Sequence, residues 1–147
     1  MHNQSMNNSL ILVVEDEPEI SAILVSYLEV AGFRTAQAAD GDIAYTLFRQ
    51  LSPDLILLDI KMPKRDGIDV LRDIRRVSNT PIIMLTAMSE DIEKISALRL
   101  GADDYILKPF NTLEVIERVK AVLRRTKGTA DIEYLVRVGM LLFPIHS

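Results

Sequence analysis

Leu55-Ile56-Leu57-Leu58, ending on Asp59, is the most apolar run of this chain, and it stops on a charge. A strand with one wet face alternates apolar and polar residues. A strand that is apolar throughout is buried on both faces, as in a parallel sheet covered by helices. Outward from this run, Leu10-Ile11-Leu12-Val13-Val14 and Ile82-Ile83-Met84-Leu85 repeat the pattern, and Phe33–Ala38 and Tyr105-Ile106-Leu107 read as weaker strands. Helical stretches separate them. Asp16 is the expected N-cap of the first, with Pro18 in its first turn. Ile20, Ile23, Leu24, Tyr27 and Leu28 form its core stripe, and Gly32 ends it. Asp40-Gly41 opens a second helix carrying Ile43, Ala44, Leu47, Phe48 and Leu51, stopped by Ser52-Pro53. After a loop marked by Pro63 and Gly67, Val70, Leu71 and Ile74 mark a third. Ser89 caps a fourth, running to about Leu100, where Gly101 is a left-handed cap. Asn111 and Glu114 resemble a capping box for a fifth helix that runs to about Arg125. Five strand–helix units predict a doubly wound α/β domain.

Length and composition agree. The chain has 147 residues, 48% of them hydrophobic and 5% aromatic, so the core is aliphatic and one domain plus tails is expected. The formal net charge of −4 speaks against nucleic-acid binding by this domain itself. There is no cysteine, which removes disulfides and thiolate chemistry and suits a cytoplasmic protein. The polar, Asn-rich start lacks the pattern of a signal peptide. No apolar run approaches the ~18 residues of a membrane span, so no membrane role is expected.

Doubly wound sheets bind ligands beyond the carboxyl ends of their strands, where the strand order reverses. The residues just past the strands are Glu15 and Asp16, Asp59, Thr86 and Lys108. Taken singly, each has an ordinary reading as a cap, a turn or a solvated loop residue. Taken together, they put three carboxylates, a hydroxyl and an ammonium on one small surface. Clustered carboxylates raise each other's pKa and stay ionised most easily around a divalent cation. Oxygen-only donors suit Mg²⁺, Ca²⁺ or Mn²⁺. With no twelve-residue calcium loop, Mg²⁺ is preferred. An aspartate beside such a cation is a good phosphoryl acceptor. Lys108 and Thr86 are then placed to meet the oxygens of the transferred group.

Glu15-Asp16, Asp59, Thr86-Ala87 and Lys108-Pro109, each after its strand, resemble the receiver domains of two-component response regulators over residues 9–126. The resemblance implies a flavodoxin/CheY-like sheet of strand order 2-1-3-4-5 with five helices. It implies that Asp59 is phosphorylated by a sensor histidine kinase, and that Asp16 and Asp59 ligate Mg²⁺ with the backbone carbonyl of Lys61. Glu15 completes the acidic pair, through water; many members carry Asp there. Thr86 and Lys108 bind phosphoryl oxygens, and Tyr105 matches an aromatic switch residue that follows Thr86 inward. The Lys108-Pro109 bond is often cis in the family. Lys61 and Met88 are expected to flank the acyl phosphate and slow attack by water.

Gly101-Ala102-Asp103-Asp104-Tyr105 and Lys108-Pro109-Phe110 are most similar to the OmpR/PhoB subfamily. That resemblance implies a homodimer, formed on phosphorylation through the face of the fourth helix, fifth strand and fifth helix. Lys94 with Glu114, and Asp104 with Arg118, match its intersubunit ion pairs. Residues 1–8 are read as a disordered tail, 127–133 as a linker, and 134–147 as the truncated start of a winged-helix DNA-binding effector, whose opening Val136-Arg137-Val138-Gly139 resembles. DNA would be reached only through that effector. The domain is expected to assist its own phosphorylation without turning over an outside substrate.

Three other readings remain open. A stand-alone receiver in a phosphorelay or protein-binding role would have no effector after residue 147. An aspartyl phosphatase typically has a second Asp two places after its nucleophile, where this chain has Lys61. A flavin-binding flavodoxin-like protein needs a Ser/Thr- and Gly-rich loop after the first strand; here that loop is Glu15-Asp16-Glu17-Pro18.

Overall fold

The computed structural model of the chain describes residues 8–87, 92 and 100–137, with side chains described as far as residue 126. The apolar runs form one sheet: β1 (Leu10–Val14), β2 (Arg34–Ala38), β3 (Leu55–Asp59), β4 (Ile82–Thr86) and β5 (Asp104–Leu107). The order is β2-β1-β3-β4-β5 and every pairing is parallel. The helices are α1 (Pro18–Val30), α2 (Gly41–Leu51), α3 (Gly67–Arg75) and α4 (Thr112–Arg137). The predicted helix from Ser89 to about Leu100 lies outside the described residues, so α4 is the helix predicted as the fifth.

The two-residue period of a strand divides the core into halves. Ile11, Val13, Leu55, Leu57, Ile83 and Leu85 point to the face covered by α1 and α4. Leu12, Val14, Ile56, Leu58, Ile82 and Met84 point to the opposite face, under α2 and α3. All twelve are essentially inaccessible to solvent, which is why the central strands show no polar alternation. Glycine is required at Gly67, the first residue of α3: its N–H donates to the Ile60 carbonyl at 2.8 Å, and a Cβ there would overlap the Asp59 carbonyl.

Several local expectations are corrected. The N-cap of α1 is Glu17, whose side chain makes no capping bond; Pro18 fills the first helical position. Asp16 lies outside the helix. Pro at this position supplies a suitable φ and has no N–H to satisfy, so the helix starts without an Asp16 cap. The buried stripe of α1 runs through Ser21, Leu24 and Leu28, while Ile23 and Tyr27 are 48% and 45% exposed. A polar contact anchors this rotation: Ser21 Oγ donates to Gln37 Oε1 of β2 at 2.9 Å. Only half of the predicted capping box forms. Asn111 Oδ1 accepts from Leu113 N at 2.8 Å, but Glu114 turns to Arg118 instead. Finally, α4 does not stop near Arg125. Residues 127–133, read as a linker, and the first residues of the expected strand continue the helix to Arg137. Once a helix is nucleated, each added residue gains a hydrogen bond. The residue least favourable to a helix in this stretch, Gly128, costs only ~1 kcal/mol.

No helix among the described residues is long and apolar enough to cross a membrane.

Candidate functional site

Each site residue is placed by the end of a strand. Beyond β1, Glu15 N–H donates to the Ala38 carbonyl at 3.0 Å, extending the β1–β2 pairing by one residue. This buries the Glu15 side chain completely. Asp59 is the last residue of β3, opposite Leu85, and is 3% exposed. Thr86 ends β4 and is buried as deeply as the core. Lys108 lies one residue past β5, and its N–H donates to the Thr86 carbonyl at 2.7 Å. Lys108-Pro109 is cis, as the resemblance implied.

The side chains converge. Lys108 Nζ donates to Asp59 Oδ2 at 2.9 Å and stands 3.6 Å from Glu15 Oε1. Lys61 N–H donates to Asp59 Oδ1 at 3.3 Å. Glu15 Oε2 accepts from Glu17 N–H at 3.2 Å. Glu15, Asp16 and Asp59 each present an oxygen within 4.8 Å of the others, with Asp16 exposed at the rim. Of the predicted set, the side chains of Glu15, Asp16, Asp59 and Lys108 are therefore brought to one place by the carboxyl ends of β1, β3 and β5, and Thr86 stands at the end of the adjacent strand β4, its carbonyl bonded to Lys108 N–H.

The electrostatics show a site short of positive charge. Burial, and then the negative charge of Asp59, push the Glu15 carboxyl up to about 7; the Glu17 N–H and Lys108 oppose this less strongly. Burial alone would lower Lys108, but the hydrogen bond to Asp59 and the charges of Asp59, Glu15 and Glu17 outweigh it and hold the ammonium above its ordinary value. Lys108 thus stays charged, yet one ammonium faces three carboxylates. Glu15 Oε1 is buried with no hydrogen-bond partner. An orphaned carboxylate oxygen in an all-oxygen cluster fits a hard divalent cation.

Other predicted residues sit apart. Tyr105 of β5 is half-buried and packs against the α2/α3 side of the core. On the outer face of β5 and α4, Arg118 Nη1 donates to both Asp104 oxygens at 3.0 Å, and its Nη2 donates to Glu114 at 3.0 Å. These bonds to Asp104, then to Glu114, raise the Arg118 pKa further. Of the two pairs expected between subunits, Asp104–Arg118 is thus joined within a single chain, and Glu114 also takes Arg118 as its partner. Lys94 and Met88 lie outside the described residues. Sequence reasoning did not find Arg65 of the β3–α3 loop. It lies over the Tyr45 ring, 5.2 Å from the centroid, and no motif or periodicity marked it.

Residues 11–120 match the family described as the response regulator receiver domain. The chain is 44% identical over 127 residues to the transcriptional regulatory protein BaeR of Escherichia coli O6:H1, which covers 86% of this chain and 53% of that protein. It spans about half the length of the curated relatives it matches. The receiver domain of a Francisella response regulator superposes with a TM-score of 0.75 at 38% identity, covering 81% of this chain and 99% of that one. The receiver domain of a Pseudomonas aeruginosa PAO1 sensor histidine kinase, with a magnesium ion coordinated in its active site cleft, superposes with a TM-score of 0.71 at 32% identity, over 79% and 98% of the two chains. Sheet order, the acidic cluster with its lysine, and these sequence matches agree: the chain belongs to the response regulator receiver domain family and is the receiver of a two-component response regulator.

Proposed function

We propose that Asp59 is the phosphoacceptor through which a sensor histidine kinase controls this receiver. The observation that carries this is the Lys108 Nζ to Asp59 Oδ2 contact of 2.9 Å at the edge of a three-carboxylate cluster. In the reaction an Asp59 carboxylate oxygen attacks phosphorus. The bond from phosphorus to the histidine nitrogen of the kinase breaks, and that nitrogen keeps the electron pair. An acyl phosphate forms on Asp59. Lys108 then pairs with a phosphoryl oxygen and the Thr86 hydroxyl donates to another, offsetting charge spread over the oxygens. Asp16, Asp59 and the Lys61 carbonyl would hold Mg²⁺, with Glu15 acting through water. When bound, the ion supplies charge neutralisation and alignment of the incoming group.

Phosphorylation adds about −1.5 to −2 charges at this site. Thr86 is drawn toward the phosphoryl group and Tyr105 follows, biasing the face of β5 and α4 toward a homodimer. The existing Arg118–Asp104 and Arg118–Glu114 pairs would then exchange partners across the interface. DNA is reached through an effector following the receiver. This is supported by the transcriptional regulatory role named for a relative of twice the aligned length. The domain turns over no outside substrate.

The test is incubation with acetyl phosphate and Mg²⁺, read by intact mass. The wild type should gain the mass of one phosphate and Asp59→Asn should not. A gain that persists in the variant rejects the assignment. Sedimentation before and after phosphorylation tests the dimer.

A further inference from the structure

The loop between β3 and α3, residues 60–66, carries the peptide that touches the acceptor: Lys61 N–H donates to Asp59 Oδ1 at 3.3 Å. The base of the loop is tied by two backbone bonds, Ile60 N to Leu85 O at 3.1 Å and Gly67 N to Ile60 O at 2.8 Å. The tip is not at ease. Arg65 N–H reaches back to Pro63 O at 2.8 Å, across Lys64 at φ 68°. That left-handed conformation is uncommon for a residue with a side chain, so the turn needs support from elsewhere in the fold.

Arg65 supplies it. Its Nε lies 3.5 Å from Asp42 Oδ1 in the first turn of α2, and its Nη1 lies 3.3 Å from Asp73 Oδ2 of α3. The guanidinium lies over the ring of Tyr45. Its carbonyl is seated against Gly41, where any Cβ would overlap it. A planar fork that pairs with carboxylates while lying on an aromatic face is a use of arginine that lysine cannot reproduce.

We propose that Arg65 is a positioning residue for the phosphoacceptor. By pinning the 60–66 loop to α2 and α3, it holds the Lys61 peptide where its N–H orients the Asp59 carboxylate. Without the pin, the turn at Lys64 relaxes and the Lys61 peptide leaves Asp59. The inference rests on Asp59 being the acceptor.

The test compares wild type with Arg65→Ala, Arg65→Lys and Asp42→Asn at a temperature where all are folded. Two quantities are read: amide hydrogen exchange at Lys61, and the rate constant for phosphorylation by acetyl phosphate at saturating Mg²⁺. In Arg65→Ala the Lys61 amide should exchange at least about fivefold faster. Phosphorylation should slow about tenfold, because small misplacements of a reacting group cost rate steeply, with the donor KM little changed. Arg65→Lys should recover part of both. Asp42→Asn, at an exposed partner, should shift both less, in the same direction, and it decides the matter if Arg65→Ala does not fold. Exchange and rate within about twofold of wild type in the folded variants overturn the proposal. Loss of thermal stability alone, with both readouts unmoved, would leave Arg65 as packing only and overturns it equally. If the wild type takes up no phosphate, the acceptor assignment fails, while the Lys61 exchange still judges the anchoring.

Discussion

Replacing Glu15 by Gln should stabilise the metal-free protein at alkaline pH, because the wild type buries a carboxylate there whose Oε1 accepts no hydrogen bond and whose charge is only partly offset by Lys108. The group ordinarily titrates at 4.5 and is pushed up to about 7 by burial first and by Asp59 second. Between those values the folded chain keeps a proton that the unfolded chain has released. The unfolded state then binds fewer protons, so unfolding free energy falls as pH rises from about 4.5 to 7 and levels off above. The full difference corresponds to about 3 kcal/mol at 1.36 kcal/mol per tenfold change. The exposed rim at Asp16 lets solvent screen part of it, so about 2 kcal/mol is expected. Gln keeps the shape and removes the charge. Urea unfolding followed by circular dichroism, without Mg²⁺, should show Glu15→Gln and wild type alike at pH 4, below both titrations. At pH 8.5 the variant should be about 2 kcal/mol more stable, with an unchanged denaturant slope. Mg²⁺ at pH 8.5 should stabilise the wild type and close most of that gap. A wild-type stability that is flat from pH 5 to 8.5, or a variant no more stable at pH 8.5, refutes the reasoning that Glu15 is a buried acid only partly compensated by its neighbours.

Lys108→Met should keep or tighten Mg²⁺ binding, since a competing cation is gone, while phosphorylation of Asp59 slows about 100-fold for want of an oxyanion partner; calorimetry and intact mass check the two halves separately. Gly67→Ala should lose about 1–3 kcal/mol to overpacking, because the new methyl meets the Asp59 carbonyl and Ile60 Cα, and the urea midpoint measures this. Leu57→Ala should cost about 3 kcal/mol by the same assay, as Leu57 is wholly buried in the α1/α4 half of the core. Arg75→Met should cost about 2 kcal/mol, because Arg75 donates to the Gly101 and Thr80 carbonyls at 2.8 Å and to Asp103 at 3.1 Å; a midpoint equal to wild type would show that bridge to be dispensable.

The strands and their parallel pairing were legible in Leu10–Val14, Leu55–Leu58 and Ile82–Leu85, because a strand buried on both faces leaves no polar alternation. The site was legible for a related reason. In a doubly wound sheet the residues at and just past the carboxyl ends of the strands meet at one edge, so position along the chain foretold that 15, 16, 59 and 108 converge. What local pattern did not decide were the quantities set by neighbours distant in sequence. A periodic apolar stripe says that a helix packs, but not how it rolls, so Ile23 and Tyr27 read as core and lie exposed. Asp16 has the chemistry of a cap, but Pro18 starts the helix and Asp16 faces the carboxylates. Composition after Arg125 read as a linker, yet a helix once nucleated continues until something stops it. The orphaned oxygen of Glu15, its raised pKa and the hold of Arg65 on the acceptor loop all depend on which atoms come within a few ångströms after folding. Burial strengthens interactions between charges and makes an incompletely paired one costly, and both are properties of the packed chain rather than of any residue in its sequence.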